Sequence, residues 1–380
     1  MQLVRLELRQ FRNYQRLSLE LPAGIVVLHG PNGSGKTSLL EAICVAASGD
    51  SPRARTAEEM VRAGADHAFV GAHFQSKERA SRLEIGIART GQRQIKRDGL
   101  VRRREDLVGL APVVLFWAED IDVVRGEPAE RRRLVDRELS LMSRTYLHHL
   151  TRYRRALEQR NRLLKLVREG RQGPGALDPW DRALARHGAT VVLERGAFLG
   201  ALDPRAAAAY AVLTGTAVQL AVRYSPSLDP TEPGLSAPPS DPEAAAEAAA
   251  ARLGRALASQ RAADIAAGVT TAGPHRDDVQ LLLNGRPARM YGSQGEQRSC
   301  AVAMRLGLAE VARQMTGEAP LILLDDVLSE LDERHREGVF VASEESDQVL
   351  ITCCDYEAIP AVVRDSARIF EVIGGTVRAA

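Results

Sequence analysis

Residues 30–37 read Gly-Pro-Asn-Gly-Ser-Gly-Lys-Thr, a spacing that suits a chain of phosphates. Gly30, Gly33 and Gly35 let the backbone come close and turn its N–H groups inward. Lys36 brings a point charge to the β and γ phosphates, the Thr37 hydroxyl is a Mg²⁺ ligand, and the helix that follows offers its positive end. Pro31, Asn32, Ser34 and Ser38 complete this nucleotide-binding set. A second, acidic element stands at residues 321–326, where an apolar run ends in two carboxylates. This is the Walker B arrangement: Asp325 holds Mg²⁺ through water, and Asp326 orients or deprotonates an attacking water. Asp326 and Lys36 are therefore the expected catalytic pair, and ATP with Mg²⁺ the expected ligands.

Roughly 280 residues separate the two halves, more than in small kinases and GTPases, where the acidic strand follows the loop closely. Just before the acidic strand lies Ser293-Gln294-Gly295-Glu296, opening a helix-like run, and just after it lies Ser329-Glu330-Leu331-Asp332. A Ser-x-Gly patch at a helix start is a second anion site. Because the P-loop already fills the local phosphate site, the patch makes sense as a cap on the γ-phosphate of a second copy. Ser329 and Asp332 then line the interface at the D-loop position. This is the logic of ABC-type ATPases, and it predicts an ATP-dependent homodimer. Ser293 to Gln297 also reads as a plain N-cap with a capping-box acid.

These groups need strands and helices to hold them. Val4, Leu6 and Leu8 alternate, as do Leu17, Leu19 and Leu21, so both segments predict half-buried strands. Ile25 to Leu28, Val113 to Trp117, Leu321 to Leu324 and Val349 to Thr352 are continuous apolar runs, expected as strands buried on both faces. Asp98-Gly99 and Asn284-Gly285 predict hairpin turns. Between these strands the chain turns helix-like and Arg-rich, from Pro128 to about Arg171, from about Pro179 to Leu202 and from about Pro242 to Ala263. Residues 229–243, dense in Pro, Ser and Asp, predict a surface loop or linker. The expected fold is α/β, an ATPase lobe over 1–120 and 268–380 with a mostly helical lobe inserted over 121–267.

The bulk numbers constrain the remaining choices. The chain has 380 residues, 45% of them hydrophobic, with a formal net charge of +2, so global charge does not announce a nucleic-acid binder. Its 4 Cys form no CxxC pair, which points away from zinc and from a disulfide framework. The N-terminus opens on a strand-like segment without a signal-peptide core, and no run is long enough to cross a bilayer, so a soluble, cytoplasmic protein is expected.

Taken together, FRNY (11–14), GPNGSGKTSLLEAI (30–43), EDIDVVRGEPAERRRLVD (119–136), AGPHRDDV (272–279), SQGEQR (293–298) and LLLDDVLSELD (322–332) make the chain resemble, over nearly its whole length, the RecF family of bacterial recombination and repair ATPases. The resemblance implies an ABC-type head of the SMC and Rad50 kind, a mixed sheet with an antiparallel β subdomain, without a long coiled coil. It implies that Arg12 and Asn13 lie near the nucleotide, that ATP closes a dimer on DNA at gaps or single-strand/double-strand junctions, and that slow, DNA-stimulated hydrolysis releases it. RecF-like proteins act with RecO and RecR and help RecA load during repair and the SOS response. Cys353-Cys354 stand where many ABC proteins carry a switch histidine, Ala118 stands where a proline commonly precedes Glu-Asp, and Asp326 replaces a longer Glu. These departures suit a slow switch better than a fast motor. The alternative is the ATPase subunit of another ABC assembly, such as a transporter, which would normally keep that histidine.

For DNA the candidates are Arg131, Arg132, Arg133, Arg154 and Arg155. Consecutive helical residues point about 100° apart, so Arg131 to Arg133 cannot all face one phosphate row. Some of them pair with Glu127, Glu130 or Asp136. With 4% aromatics, stacking platforms are scarce and backbone-dominated duplex contact is favoured. Trp117 and Trp180 read as core, and His148-His149 as helix surface without a metal partner pattern. His275 in GPHRDD has no assigned role at this level.

Overall fold

A computed structural model of the chain describes residues 1–76, 79–227, 241–327, 336, 338–340, 346–354, 356, 359 and 361–379. They fall into two compact units, the first made of Met1–Ile121, Ala208–Ala217 and Ala301–Ala380, the second of Asp122–Ala207 and Val218–Cys300. The expected lobe boundary at residue 268 and the unit boundary at Cys300 differ by one β-hairpin and the start of a helix.

The first unit holds two six-stranded sheets. One runs β2-β1-β4-β5-β6-β7 and is antiparallel throughout, with β1 Gln2–Phe11, β2 Tyr14–Glu20, β4 His67–Gln75, β5 Ala80–Ala88, β6 Arg93–Arg97 and β7 Leu100–Arg102. The other runs β15-β14-β3-β13-β12-β8, with β3 Gly24–His29, β8 Val113–Trp117, β12 Leu321–Asp325, β13 Gln348–Cys353, β14 Arg368–Ile373 and β15 Thr376–Ala379. All its pairs are parallel except β14 with β15. Helix α1, Lys36–Ser48, packs against strands of both sheets, burying Leu39, Leu40, Ile43 and Val45. Each such side chain contributes roughly 1.5–3 kcal/mol of burial. That apolar centre fixes the helix whose first turn carries Lys36 and Thr37. The Asp98-Gly99 turn has φ of 51° and 79°, the positive pair that a two-residue hairpin needs.

The short helices are α2 Ala57–Met60, α3 Ile121–Arg125 and α8 Ala288–Tyr291; in the second unit, the Arg-rich stretch from Pro128 is two longer helices, α4 Pro128–Met142 and α5 Arg144–Arg168. Between them Ser143 leaves the helical region and caps α5 by accepting from the Tyr146 N–H. Helix α6, Asp178–Thr214, is longer than expected and continues through Pro204. Helix α7 is Pro242–Ala267. A strand the sequence reading did not anticipate, β9 Leu220–Ser225, pairs with β10 Asp278–Leu283, which turns at Asn284-Gly285 into β11 Arg286–Pro287. Six residues with only Leu220 and Val222 fully buried give too short an alternation to stand out.

Charge is buried deeply here. Arg160, fully buried, donates to Asp181 (2.5 Å), Asp264 (2.6 Å) and Thr270 Oγ1 (2.9 Å). Arg195 donates to Asp136 (2.7 Å) and to the Pro274 carbonyl (2.7 Å). The GPHRDD block is where these ties converge. Asp278 takes a bidentate pair from Arg131, the Asp277 carbonyl accepts from Arg132, and the Asp277 carboxylate accepts from Tyr224. His275 bridges Tyr153 OH (2.6 Å) and the Thr270 carbonyl (3.0 Å). A carbonyl only accepts, so Nε2 carries the proton and Nδ1 accepts from the tyrosine. Burial holds the His275 pKa below its ordinary value, which keeps the ring neutral. Its role is structural, joining α5 to the turn before β10.

His148 and His149 do gain a neighbour: His187 on α6 lies with its Nδ1 3.2 Å from that of His149. Burial, then the positive fields of the other histidines, Arg152 and Arg186, lowers both pKa values, that of His187 to about 4. Between the ordinary value of 6.5 and that value the unfolded chain binds more protons than the folded one. Stability is therefore full above 6.5 and falls as pH drops toward 4. Thermal melts should show an acid-side loss that His187→Asn reduces; an unchanged acid limb in that variant would refute the assignment.

Candidate nucleotide-binding site

Strand β3 carries the chain into the loop at Gly30. A side chain at Gly30 would meet the Val372 carbonyl at 2.2 Å, and one at Gly35 (φ 117°) would meet the Asn13 amide at 2.5 Å and Tyr14 OH at 2.7 Å. Both positions thus require glycine because other strands press against the loop. At Gly35 the FRNY turn does the pressing: Asn13 Nδ2 donates to the Ser34 carbonyl (2.9 Å) and Tyr14 OH to that of Gly35 (3.1 Å). Arg12, held at φ 51°, makes a bidentate pair with buried Glu41 on α1, both bonds 2.7 Å. Arg12 and Asn13 thus brace the loop and its helix.

Pro31, Asn32 and Gly33 form the exposed tip, and Ser38 lies half-buried in the first turn of α1. Lys36 is buried, with Nζ donating to the Gly30 carbonyl (2.7 Å), the Pro31 carbonyl (3.1 Å) and Cys354 Sγ (3.4 Å). These are loop acceptors against which phosphate oxygens would compete. The Ser34 hydroxyl is buried without a hydrogen-bond partner among the described residues. Such an orphaned polar atom fits a site built for a polar ligand.

The parallel register places β12 beside β13 with Asp325 opposite Thr352. Asp325 Oδ1 accepts from Thr37 Oγ1 (2.9 Å) and from Thr352 Oγ1 (2.8 Å). Thr352 Oγ1 also accepts the Asp326 N–H (2.9 Å), fixing that residue at φ 54°. One hydroxyl therefore orients both acids. The Thr37 and Asp325 oxygens lie 2.9 Å apart, two hard oxygen donors that would hold Mg²⁺, Asp325 through water. The site fits Mg²⁺ as a hard cation completed by phosphate and water. Among the described residues no group of three or more His, Cys, Asp or Glu is arranged for a metal. Burial pushes the Asp325 carboxyl above its ordinary value, against the Thr352 and Thr37 hydrogen bonds and the positive field of Arg53.

Asp120, after β8, pairs with Arg305 on α9 (Gln294–Thr316), and both are buried. Ser293, Gln294 and Gly295 are exposed at the start of that helix. The Ser293 hydroxyl and N–H both meet Glu296 Oε2 at 2.8 Å, and these bonds lower the Glu296 pKa. The capping box weighed as an alternative is thus formed. It leaves the Gly295 surroundings open. Ser329 and Asp332 lie outside the described residues.

The arginine set needs correction. Arg131 is buried against Asp278, and Arg132 donates to the Asp277 carbonyl at 2.5 Å, so both guanidinium groups are committed inside the unit. Burial also lowers the Arg132 pKa. Arg133 pairs with Glu130 and Arg154 with Asp136, yet both stay largely exposed, as does Arg155. Sequence reasoning missed Tyr14, Glu41 and Thr352; Tyr14 and Glu41 stood inside quoted motifs, FRNY and GPNGSGKTSLLEAI, without a role of their own.

The model of the RecF/RecN/SMC N terminal domain matches residues 2–376. The chain belongs to this family. Two DNA replication and repair proteins RecF span it nearly end to end. That of Lachnoclostridium phytofermentans is 34% identical over 373 residues, covering 98% of each chain. That of Symbiobacterium thermophilum is 38% identical over 383 residues, covering 99% of this chain and 98% of the relative. The solved recombination mediator protein RecF-ATPrS of the RecFOR pathway superposes with a TM-score of 0.88 at 27% identity, covering 100% and 98% of the chains. An Smc head bound to the C-winged helix domain of ScpA shares the fold alone, at 0.53 and 16%. The family members thus share the expected ABC-type head, and no coiled coil extends it among the described residues.

Asp325→Asn keeps an acceptor for both threonines while removing the buried charge. A raised folded pKa means the apo protein loses stability as pH rises through the carboxylate range, so the variant should melt at or above the wild-type temperature at neutral pH. It should also lose the melting-temperature rise given by Mg²⁺ and a nucleoside triphosphate. A rise in the variant as large as that of the unaltered chain would contradict the site. Thr352→Val removes the acceptor of the Asp326 N–H and one of the two donors to Asp325 Oδ1 and should destabilise by about 1–3 kcal/mol, read by urea unfolding; no change would show that the hydroxyl is dispensable.

Proposed function

We propose that the chain is an ATP-dependent DNA-binding protein of recombinational repair, a dimer that closes on DNA when ATP is bound and opens after slow hydrolysis. The observation that supports the nucleotide part of this reading is the hydrogen bond of Thr37 to Asp325, which brings the loop threonine and the acidic strand together from distant parts of the chain. The relative solved as RecF-ATP, 27% identical with a TM-score of 0.87, supports ATP as the ligand.

Lys36 exchanges its bonds to the loop carbonyls for phosphate oxygens. Thr37 and Asp325 would hold Mg²⁺, which when bound neutralises charge on the β and γ phosphates. Asp326, fixed by Thr352, takes the proton of the attacking water as the γ-phosphoryl group passes to it and ADP leaves. The exposed Ser293-to-Glu296 helix start of one copy meets the γ-phosphate of the other. To donate there, the Ser293 hydroxyl gives up its bond to Glu296. In the closed dimer, Arg133, Arg154 and Arg155 of both copies contact DNA phosphates without reading bases. We place its action at gaps and single-strand/double-strand junctions, with RecO- and RecR-like partners, in support of RecA loading, and in the cytoplasm.

Sedimentation of the full chain should show dimers with Mg-ATP that Ser293→Arg abolishes. The dimers alone should retain a short duplex, with affinity falling steeply as salt rises. A wild-type chain that binds ATP but stays monomeric with and without duplex would overturn the shared-site reading.

A further inference from the structure

Cys354 is the reactive group at the nucleotide site that the proposed cycle leaves unused. It follows β13 directly, and the register of Cys353 with His29 sets it beside the loop that β3 feeds. Its Sγ donates to Asn32 Oδ1 (2.8 Å), accepts from Lys36 Nζ (3.4 Å) and lies 3.7 Å from Asp326 Oδ2. One sulfur therefore touches the loop tip, the phosphate lysine and the second acid. Those three groups bound the space that the terminal phosphate and its attacking water have to share. The buried, unpartnered Ser34 hydroxyl belongs to the same loop.

The other cysteines are poor competitors. Cys354 is exposed, whereas Cys44 is half-buried and Cys300 and Cys353 are buried. Burial also pushes the Cys300 thiol up to about 12, which starves it of thiolate at neutral pH.

We propose that Cys354 is a thiol-modification site that shuts the nucleotide site, and that bound nucleotide in turn shields it. This rests on the nucleotide reading given above. The step is thiol–disulfide exchange with a small disulfide. Cys354 loses its proton to solvent and attacks one sulfur; a new S–S bond forms, the old one breaks, and the departing thiolate takes up a proton. A small thiol reverses the step by the same exchange. The adduct adds bulk to a sulfur 3.4 Å from Lys36 Nζ, so it occupies the terminal-phosphate space and displaces the lysine from its phosphate-facing position. A nucleotide already bound fills that space and denies the sulfur an approach.

The test treats full-length wild type and Cys354→Ser with a chromogenic aromatic disulfide, with and without saturating Mg-ATP. Modified peptides are read by mass spectrometry, and binding is read with a fluorescent ATP analogue. The expected result is one fast thiol per wild-type chain, located at Cys354 and slowed at least about tenfold by nucleotide. Modified wild type should bind the analogue at least about tenfold more weakly and recover with a reducing thiol, while the affinity of Cys354→Ser is indifferent to the reagent. A modified wild type that binds as well as untreated protein would overturn the proposal, as would equal labelling rates with and without nucleotide, or a fast thiol elsewhere. Untreated wild type that binds no analogue would sink the nucleotide reading itself. Binding by untreated protein with no effect of modification sinks only the cysteine proposal.

Discussion

The site depends on one buried carboxylate, Asp325, and the two hydroxyls that reach it. Thr37 opens α1 and Thr352 ends the apolar run of β13, yet both converge on the same oxygen. Burial disfavours that carboxylate's charge, and the hydrogen bonds from Thr352 and Thr37 oppose the effect. Every neighbouring element serves its placement. The parallel register of β12 and β13 sets Asp325 opposite Thr352, and α1, held between two sheets, sets Thr37 in front of it.

A second layer of support stiffens the loop from behind. Arg12, Asn13 and Tyr14 form a turn whose polar groups are spent on Glu41, Ser34 and Gly35. A glycine-rich loop left to itself has large conformational entropy. Fastening two of its carbonyls to a β-sheet edge turn lowers that freedom before any ligand arrives, which is preorganisation in the sense that matters for phosphate binding. In the other unit the same economy is visible in GPHRDD, where neutral His275 and two aspartates gather tyrosine and arginine side chains from four elements. Breaking a buried pair of this kind typically costs about 3–5 kcal/mol, because the remaining charge is left buried without its partner.

How far these features were legible in the sequence follows from their range. Local chemistry read well: the P-loop, the acidic strand and both Gly-containing hairpins depend on a few adjacent residues, and each lies where its spacing put it. The long-range partners did not. Nothing near Arg131 in sequence foretells Asp278, which lies far along the chain, so a surface arginine and a buried one looked alike. Thr352 gave no signal because a threonine ending an apolar strand is ordinary until the neighbouring strand places two acids beside it. The Ser293 segment was legible as two things at once, and the isolated chain forms the simpler one, the capping box with Glu296.

In the dimer we propose, this capping box competes with the contact that joins the two copies. The Ser293 hydroxyl of a lone copy already has an acceptor in Glu296, and the Glu296 N–H has one in Ser293. An encounter between two copies without nucleotide would exchange one good hydrogen bond for another and gain little. With a γ-phosphate in place, the same exchange trades a carboxylate on a flexible side chain for a denser anion fixed by Lys36 and the loop. The equilibrium shifts only by the difference between those two states. In the dimer we propose, a helix cap satisfied when alone, set against a phosphate site preorganised around Asp325, makes association conditional on the ligand rather than constitutive.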